Sequence, residues 1–461
     1  MFIIQEGDKM TDRILVVGGG GREHALVWKI RQQNPDVKLY CAPGNAGIAQ
    51  LAELVNIGAE DIPRLHDWVR ANKPDLTVVG PEAPLCAGLA DKLTADGYLV
   101  FGPNQEAARI EGSKSFAKDV MNAAGVPTAA SKEFTEVDRA INYVGSLRVT
   151  PFVVKYDGLA AGKGVTICHS PEQGIAAVHE ALTKQAFGKD GKIIVEEFLE
   201  GEEASIIGLV NGENVNLFVA SQDHKPAFEN PEDRARWIAT GGDSKYSQDS
   251  IGPNTGGMGA YSHAPVVTDS LLREIREDVF LRTLKELQRR GIDYRGALYA
   301  GLMITSQGPK VLEFNCRFGD PETQVILPPV QTDFLQMLVQ CAEGTLKSDT
   351  VVNDSDRYVC VAMVSGGYPG SYAKGKAIHG LYDAEGLNGI TVFHAGTKLK
   401  ESEHHAIAPD VVLTSGGRVL GVTARGKTID DAIAWAYDNV QKIRWDNEYH
   451  RTDIGNRARG R

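Results

Sequence analysis

At 461 residues, 42% hydrophobic and 24% charged, the chain is too long for one ordinary core and apolar enough to fold, so about three domains of roughly 150 residues are expected. A net charge of -11, from 49 Lys and Arg against 60 Asp and Glu, excludes broad nonspecific binding to nucleic acid and leaves room only for a local basic pocket. The 6 cysteines form no CxxC pair and no apolar run approaches the roughly 20 residues that span a bilayer, which argues against a zinc site, a disulfide framework and a membrane span and places the chain in a reducing cytoplasm.

From Arg13, RILVVGGGG, REHALVWKIRQQ and VKLYCAPGN read as strand with glycine turn, helix, and second strand, and DLTVVGPE and YLVFGPN add further strands. This alternation predicts a parallel α/β domain over residues 11–112. EGSKSFAKDVMNAAGVP predicts a helix opened by Ser113 and closed at Gly125. Residues 131–202 predict a small lid-like subdomain of strands with one helix, inside a second domain spanning 113–335. The long polar stretch from Pro226 to Pro253 predicts an irregular surface loop. Beyond Gly344, short strands with glycine turns precede a last helix that has Thr428 and Asp431 in capping-box spacing and Ile433, Ala436, Val440 and Ile443 along one face. They predict a C-terminal α+β domain over 336–461.

The first glycine loop invites a dinucleotide reading that its spacing rejects. A G-x-G-x-x-G fingerprint starting at Gly18 needs glycine at 23, where the chain has Glu23, and the second strand ends without an acid for a ribose hydroxyl. What remains is a helix N-terminus whose amides at Gly20, Gly21 and Arg22 would seat a phosphate, with the Arg22 guanidinium adding charge.

VVKYDGLAAGKGV, residues 153–165, is not a Walker loop, because no glycine stands at the required spacing before Lys163 and Gly164 follows it. Lys155 closes a β run, so its side chain has a fixed exit, and Gly158, Gly162 and Gly164 let the next segment fold over phosphates. In IIVEEFLEGEEAS, Glu196, Glu197 and Glu203 surround a Phe198-Leu199 step suited to flank an adenine. In KVLEFNCRFGDPETQ, side-chain alternation puts Glu313 and Asn315 on one strand face, two oxygen donors that suit Mg²⁺ when phosphates and water complete the shell. Arg317 and Asp320 follow where that strand ends.

Together with GGGGREHAL, PGNAG, VVGPEAPL, GSKSFAKDVM, GPNTGGMGAYS and HAGT…TSGGRVLGVTARG, in order from about Arg13 to DIGNRA, these motifs resemble the phosphoribosylamine-glycine ligase family, ATP-grasp enzymes of purine biosynthesis also called glycinamide ribonucleotide synthetases. The resemblance implies an ATP-grasp lid and core between the two flanking domains, ATP with Mg²⁺ or Mn²⁺, and glycine and phosphoribosylamine as substrates. Neither nucleic acid nor membrane is implied as a partner. By position, Lys114 and Lys155 would contact ATP phosphates under the loop Gly158, Gly162, Gly164. Glu196, Glu197, Phe198 and Leu199 would form the adenine hinge, Glu203 would take the ribose, and Glu313 and Asn315 would hold the metal. Lys155 and Arg317 would serve catalysis. Gly20, Gly21, Arg22, Asn45, Glu82, Thr255, Gly256, Gly257 and Asp320 would contact substrate. An ATP-grasp ligase with a different acid or amine is the alternative.

Two departures stand out. The family commonly has asparagine where this chain has Gly19. It also follows DHK with a short turn before GPNTGGMG, whereas here a longer insert runs from Pro226 through Ser250, which puts the contacts of that loop in question.

Overall fold

The computed structural model describes residues 11–159, 164–186, 191–244, 252–385, 387–400 and 411–461. It has a parallel-sheet N-terminal domain, an ATP-grasp lid and core, and a C-terminal α+β domain. The described strands form sheets of five, four and ten strands and one two-stranded pair.

The N-terminal sheet is parallel where Arg13–Gly18 lies between Lys38–Pro43 and Leu76–Val79. Ile14, Leu15, Val16 and Val17 are all fully buried, the continuous apolar run expected of a strand covered on both faces. Gly18, at φ +127, turns the chain into the helix Gly21–Gln33. Glu23, which breaks the dinucleotide fingerprint, accepts a hydrogen bond from the Gly20 amide at 2.6 Å and fills the space a Cβ would take at Gly18 and Gly80. A Cβ at Gly19 would lie 2.5 Å from the Gly44 carbonyl oxygen, so the two glycine loops touch backbone to backbone.

The lid sheet, in the order Ser131–Phe134, Ile193–Glu197, Phe152–Tyr156, Val165–Cys168, has its own core around Phe152, Val154, Val178 and Ile193. The helix Lys114–Ala124 leads into it, capped by Ser113, which accepts from the Phe116 amide at 3.2 Å, and ended by Gly125 in the left-handed region, as the sequence predicts.

The ten-stranded sheet runs Gly308–Asn315, Arg295–Thr305, Glu202–Asn211, Ser221–Asp223, Gly259–Ser262, Arg357–Ser365, Arg418–Gly426, Ile390–His394, with two further strands off this path. It is continuous through the pairing of Gly259–Ser262 with Arg357–Ser365. The last helix, Ile429–Val440, begins with the expected Thr428–Asp431 capping box and buries Ile433, Ala436 and Val440.

The stretch 226–253 departs from its predicted irregularity. It contains the helix Pro231–Ala239, and Trp237 within it is 1% exposed. Asn230 caps it, accepting from the Asp233 amide at 2.8 Å, with proline at the first position and acids in the first turn. Residues 245–250 of the insert lie outside the described residues. Among the described residues no helix is long and apolar enough to cross a membrane.

Candidate active site

One corner of the site is built on the strand Gly308–Asn315. Its pairing with Arg295–Thr305 sets Val311 opposite Leu302 and Glu313 opposite Gly301, so Leu312 is an extra, unpaired residue. A bulge of this kind frees a backbone carbonyl and redirects side chains. The Leu312 carbonyl accepts from Lys155 Nζ at 3.0 Å. The same ammonium lies 2.8 Å from Glu196 Oε2, and Lys118 Nζ lies 3.2 Å from Glu196 Oε1. Glu196 is therefore a buried carboxylate shared by two lysines. Its neighbour Glu197 faces outward, accepting from the Ala130 amide at 3.0 Å with Lys310 3.5 Å away. Phe198 is half-buried, and Leu199 packs with Ala129, Met303 and Leu312 in a small apolar cluster at the junction of lid and core.

Lys114 occupies the first turn of its helix and donates to the Gly158 carbonyl at 3.0 Å. Burial pulls its ammonium below the usual lysine range, with Glu313 opposing. Asp157 accepts from the Ser115 amide at 3.1 Å and the Ser113 hydroxyl at 3.3 Å, which ties the start of the glycine loop to the helix N-terminus. The Gly164 carbonyl accepts from the Tyr156 amide at 2.7 Å. Gly162 lies outside the described residues.

Glu313 is 3.2 Å from Lys225 Nζ, and Glu203 is 3.8 Å from the same ammonium. Lys225, helped by Lys155 and Lys114, holds the Glu313 carboxyl down to about 2 against the opposing effect of burial. The Asn315 amide satisfies its neighbours when its nitrogen donates to Phe314 O at 3.0 Å and Glu111 Oε1 at 3.2 Å, which turns the amide oxygen away from Glu111. An ionised carboxylate and an amide oxygen on one strand suit a hard divalent cation that keeps water and phosphate ligands. Among the described residues no three His, Cys, Asp or Glu side chains converge on a metal position, so phosphate and water oxygens would have to complete any such shell.

Arg317, just past the strand, donates to Glu82 Oε2 at 3.2 Å, Glu111 Oε1 at 2.8 Å and Phe318 O at 3.2 Å. Burial would raise the Glu82 carboxyl, yet Arg317 and Arg22 beside it hold it at about 2. Arg22 donates to Glu23 at 2.5 Å and to Phe318 O at 3.2 Å. The expected row of three open amides does not hold. Gly20 N–H goes to Glu23 and Arg22 N–H to Asp320 Oδ2 at 3.4 Å, so carboxylates of the chain itself occupy much of that helix N-terminus. Asn45 donates to Gly19 O at 3.0 Å and His394 O at 2.8 Å while accepting from the Gly47 and Ile48 amides. It is an internal tie joining the N-terminal loops to a C-terminal strand.

Beside this network a cleft of about 330 Å³ is lined by Gly19, Gly20, Gly44 and Asp320 and, from the C-terminal domain, by Tyr368, Thr397, Ser415 and Arg418, among others. Arg418 lies 3.4 Å from Asp320 and donates to Gly256 O at 2.5 Å and Asp320 O at 2.6 Å. Burial would raise Asp320, and Arg418 and Arg22 outweigh it to keep the carboxylate charged. Thr255 donates from its amide and hydroxyl to Lys225 O at 2.8 and 2.7 Å, and accepts from the Gly257 amide at 2.9 Å. Gly257, at φ +118, packs on Pro321 where a Cβ would collide. The C-terminal contributors were absent from the sequence-based site. Their signal was present in TSGGR, where an arginine follows a glycine turn.

Family models for the phosphoribosylglycinamide synthetase N domain, ATP-grasp (A) domain and C domain match residues 12–111, 112–323 and 358–457. The chain belongs to the phosphoribosylglycinamide synthetase family. It is 47% identical over 450 residues to a phosphoribosylamine-glycine ligase of Escherichia coli O157:H7, covering 97% of this chain and 98% of that one. It is 44% identical over 443 residues to the ligase of the same name from Caldanaerobacter subterraneus subsp. tengcongensis, covering 96% and 99%. Among solved structures it resembles the Thermotoga maritima phosphoribosylamine-glycine ligase, with a TM-score of 0.78, 29% identity and coverage of 96% and 99%. The fold is shared with the biotin carboxylase domain of Hydrogenobacter thermophilus 2-oxoglutarate carboxylase, at a TM-score of 0.68, 15% identity and coverage of 95% and 91%. ATP and a divalent metal go with membership of an ATP-grasp family.

Proposed function

We propose that this protein ligates glycine to 5-phosphoribosylamine at the expense of ATP, giving glycinamide ribonucleotide, ADP and phosphate in purine biosynthesis. The observation that carries the reading is the short segment 313–320. At one end Glu313 stands by Lys225, Lys155 and Lys114 with Asn315 two residues on, and at the other Asp320 lines the cleft with Arg418. Phosphate chemistry and a second substrate are thereby offered on one continuous stretch, with Arg317 between them.

A carboxylate does not react with an amine in water, because it repels nucleophiles and has no leaving group. In the proposed route a glycine carboxylate oxygen attacks the γ-phosphorus of ATP in line, the bond to the β,γ-bridging oxygen breaks, and ADP leaves. The amine of phosphoribosylamine then adds to the acyl carbon of glycyl phosphate, loses a proton, and phosphate departs. Lys155 and Arg317 oppose the charge that builds on the transferring group, where position and electrostatics do most of the work. Lys114 and the loop at Gly158 and Gly164 hold phosphates, the cluster around Leu199 takes the adenine, and Glu203 takes the ribose. Mg²⁺ or Mn²⁺, held by Glu313 and Asn315, would supply charge neutralisation across the phosphate oxygens. Gly19, Gly20, Asp320 and Arg418 bind phosphoribosylamine in the cleft, while Arg22, Glu82 and Asn45 support the segments that line it. The division of labour places amine binding in residues 11–112, the nucleotide in 113–335 with its lid over about 131–202, and closure of the cleft in 336–461.

The test is ADP release with ATP, Mg²⁺, glycine and phosphoribosylamine generated in the assay, each omitted in turn. Release that requires all four, with glycinamide ribonucleotide formed, supports the reading. Turnover only with another acid or amine would replace it by the alternative ligase.

A further inference from the structure

We infer that the described part of the insert, residues 226–244, is a positioning element for the amine-substrate cleft and acts through Tyr368; this rests on the function proposed above. The insert grows from between two segments that carry site residues. Its flanks pair with each other, since Pro226 bridges Asn254 and the Ala227 amide donates to Pro253 O at 3.0 Å. The family resemblance calls for a short turn there, yet this chain builds a helix and sends it to the C-terminal domain.

The helix is anchored on buried ground. Arg451, 0% exposed, donates to Pro226 O at 2.9 Å and pairs with Glu229. Tyr449 donates to Ala227 O at 3.0 Å, Thr452 to Asp233 Oδ1 at 2.9 Å, and Arg236 to His450 O at 3.1 Å. Phe228 packs against Trp237 with ring centroids 5.7 Å apart. Five polar contacts to one domain, with an aromatic pair inside the insert, go beyond what solubility of a surface loop requires.

From this anchor the contact passes to the cleft. Trp237 Nε1 donates to the backbone carbonyl of Tyr368 at 2.6 Å. The helix end is pressed so closely on the preceding turn that a Cβ at Gly366 would collide with Thr240 O. Tyr368 lines the cleft, and its hydroxyl accepts from the Gly256 amide at 3.0 Å. Arg418 holds the next peptide unit of the same residue through Gly256 O. The insert thus fixes the tyrosine that, with Arg418, pins the Gly256 segment beside Asp320. A buried indole donor aimed at a carbonyl restricts that backbone more than a solvent-facing loop contact would.

The experiment is steady-state kinetics of Trp237→Phe, Tyr368→Phe and the double variant, with melting temperature measured alongside. Trp237→Phe removes the indole donor together with part of a buried ring, so its melting temperature is read against that of Tyr368→Phe, which removes only the hydroxyl. The expected result is a rise in KM for phosphoribosylamine of about fivefold in each single variant, the effect of one displaced hydrogen bond, with KM for ATP unchanged. The double variant should be no worse than the worse single, because both act through one residue. Unshifted KM for phosphoribosylamine would overturn the inference, as would ATP and amine constants and melting temperature moving together, the mark of a merely structural role. A wild-type protein that does not turn over phosphoribosylamine overturns the functional reading and the inference with it. Turnover by the wild type with unshifted variants overturns the inference alone.

Discussion

Lys155 and Glu196 lie on neighbouring strands of the lid, joined at 2.8 Å, and the same carboxylate holds Lys118 at 3.2 Å. The lysine proposed for the γ-phosphate is thus already neutralised by the protein and pre-aimed along the Leu312 bulge. Removing the carboxylate would leave two buried ammonium groups with backbone and hydroxyl partners only. Glu196→Gln should cost about 3 kcal/mol, the usual result of breaking a buried ion pair from one side. Denaturant unfolding checks this, and an unchanged midpoint would show that water reaches the pair.

Glu313→Ala should fold, because the side chain is half-buried and the strand keeps its pairing. Its Mg²⁺ half-saturation should rise at least roughly tenfold, a loss typical even of groups one step removed from a metal. A Mg²⁺ titration of ADP release reads this directly, and an unmoved curve would take Glu313 out of the metal site.

Arg418→Met should raise KM for phosphoribosylamine roughly tenfold to a hundredfold, the cost of a charged hydrogen bond. Its KM for ATP should hold, because the Lys155 corner lies on the other side of Arg317. Parallel loss of both would mean that Arg418 maintains the whole site through Gly256 and Asp320 and does not contact one substrate.

His24 accepts from the His394 amide at 2.7 Å through Nδ1, a bond that needs an unprotonated ring nitrogen. Burial, and then the neighbouring His394, lower its pKa well below 6.5. The folded form therefore binds fewer protons than the unfolded form at mildly acid pH. The stability contributed is full above 6.5 and is lost progressively as pH falls below that value. Melting temperature should fall more steeply between about pH 6.5 and 5 in the wild type than in His24→Gln, which cannot take up the proton. Equal slopes would assign the pH dependence elsewhere.

The sequence carried the strand, turn and helix order, because Ile14 to Val17, Ser113, Gly125 and the Thr428 box are local signals read within a few residues. It also carried the alternation that sets Glu313 and Asn315 on one strand. It did not carry what depends on distant pairing. The Leu312 bulge is visible only against Arg295–Thr305, and Glu196 turned inward to two lysines because burial selected the face. Arg418 and Tyr368 reach the cleft by folding back across some 50 to 400 residues of chain to meet Asp320 and Gly20. The insert helix is the exception, since Asn230, Pro231 and the following acids form a local start signal that the polar composition around it obscured.

The contact between Gly19 and Gly44 couples the shapes of two loops. Any residue with a Cβ at 19 must push back the Gly44 carbonyl, 2.5 Å away, and with it the Asn45 turn that grips His394. An asparagine there would fit only with the second loop shifted. A side chain at 19 would therefore be felt at the C-terminal strand, transmitted through Gly44 and Asn45.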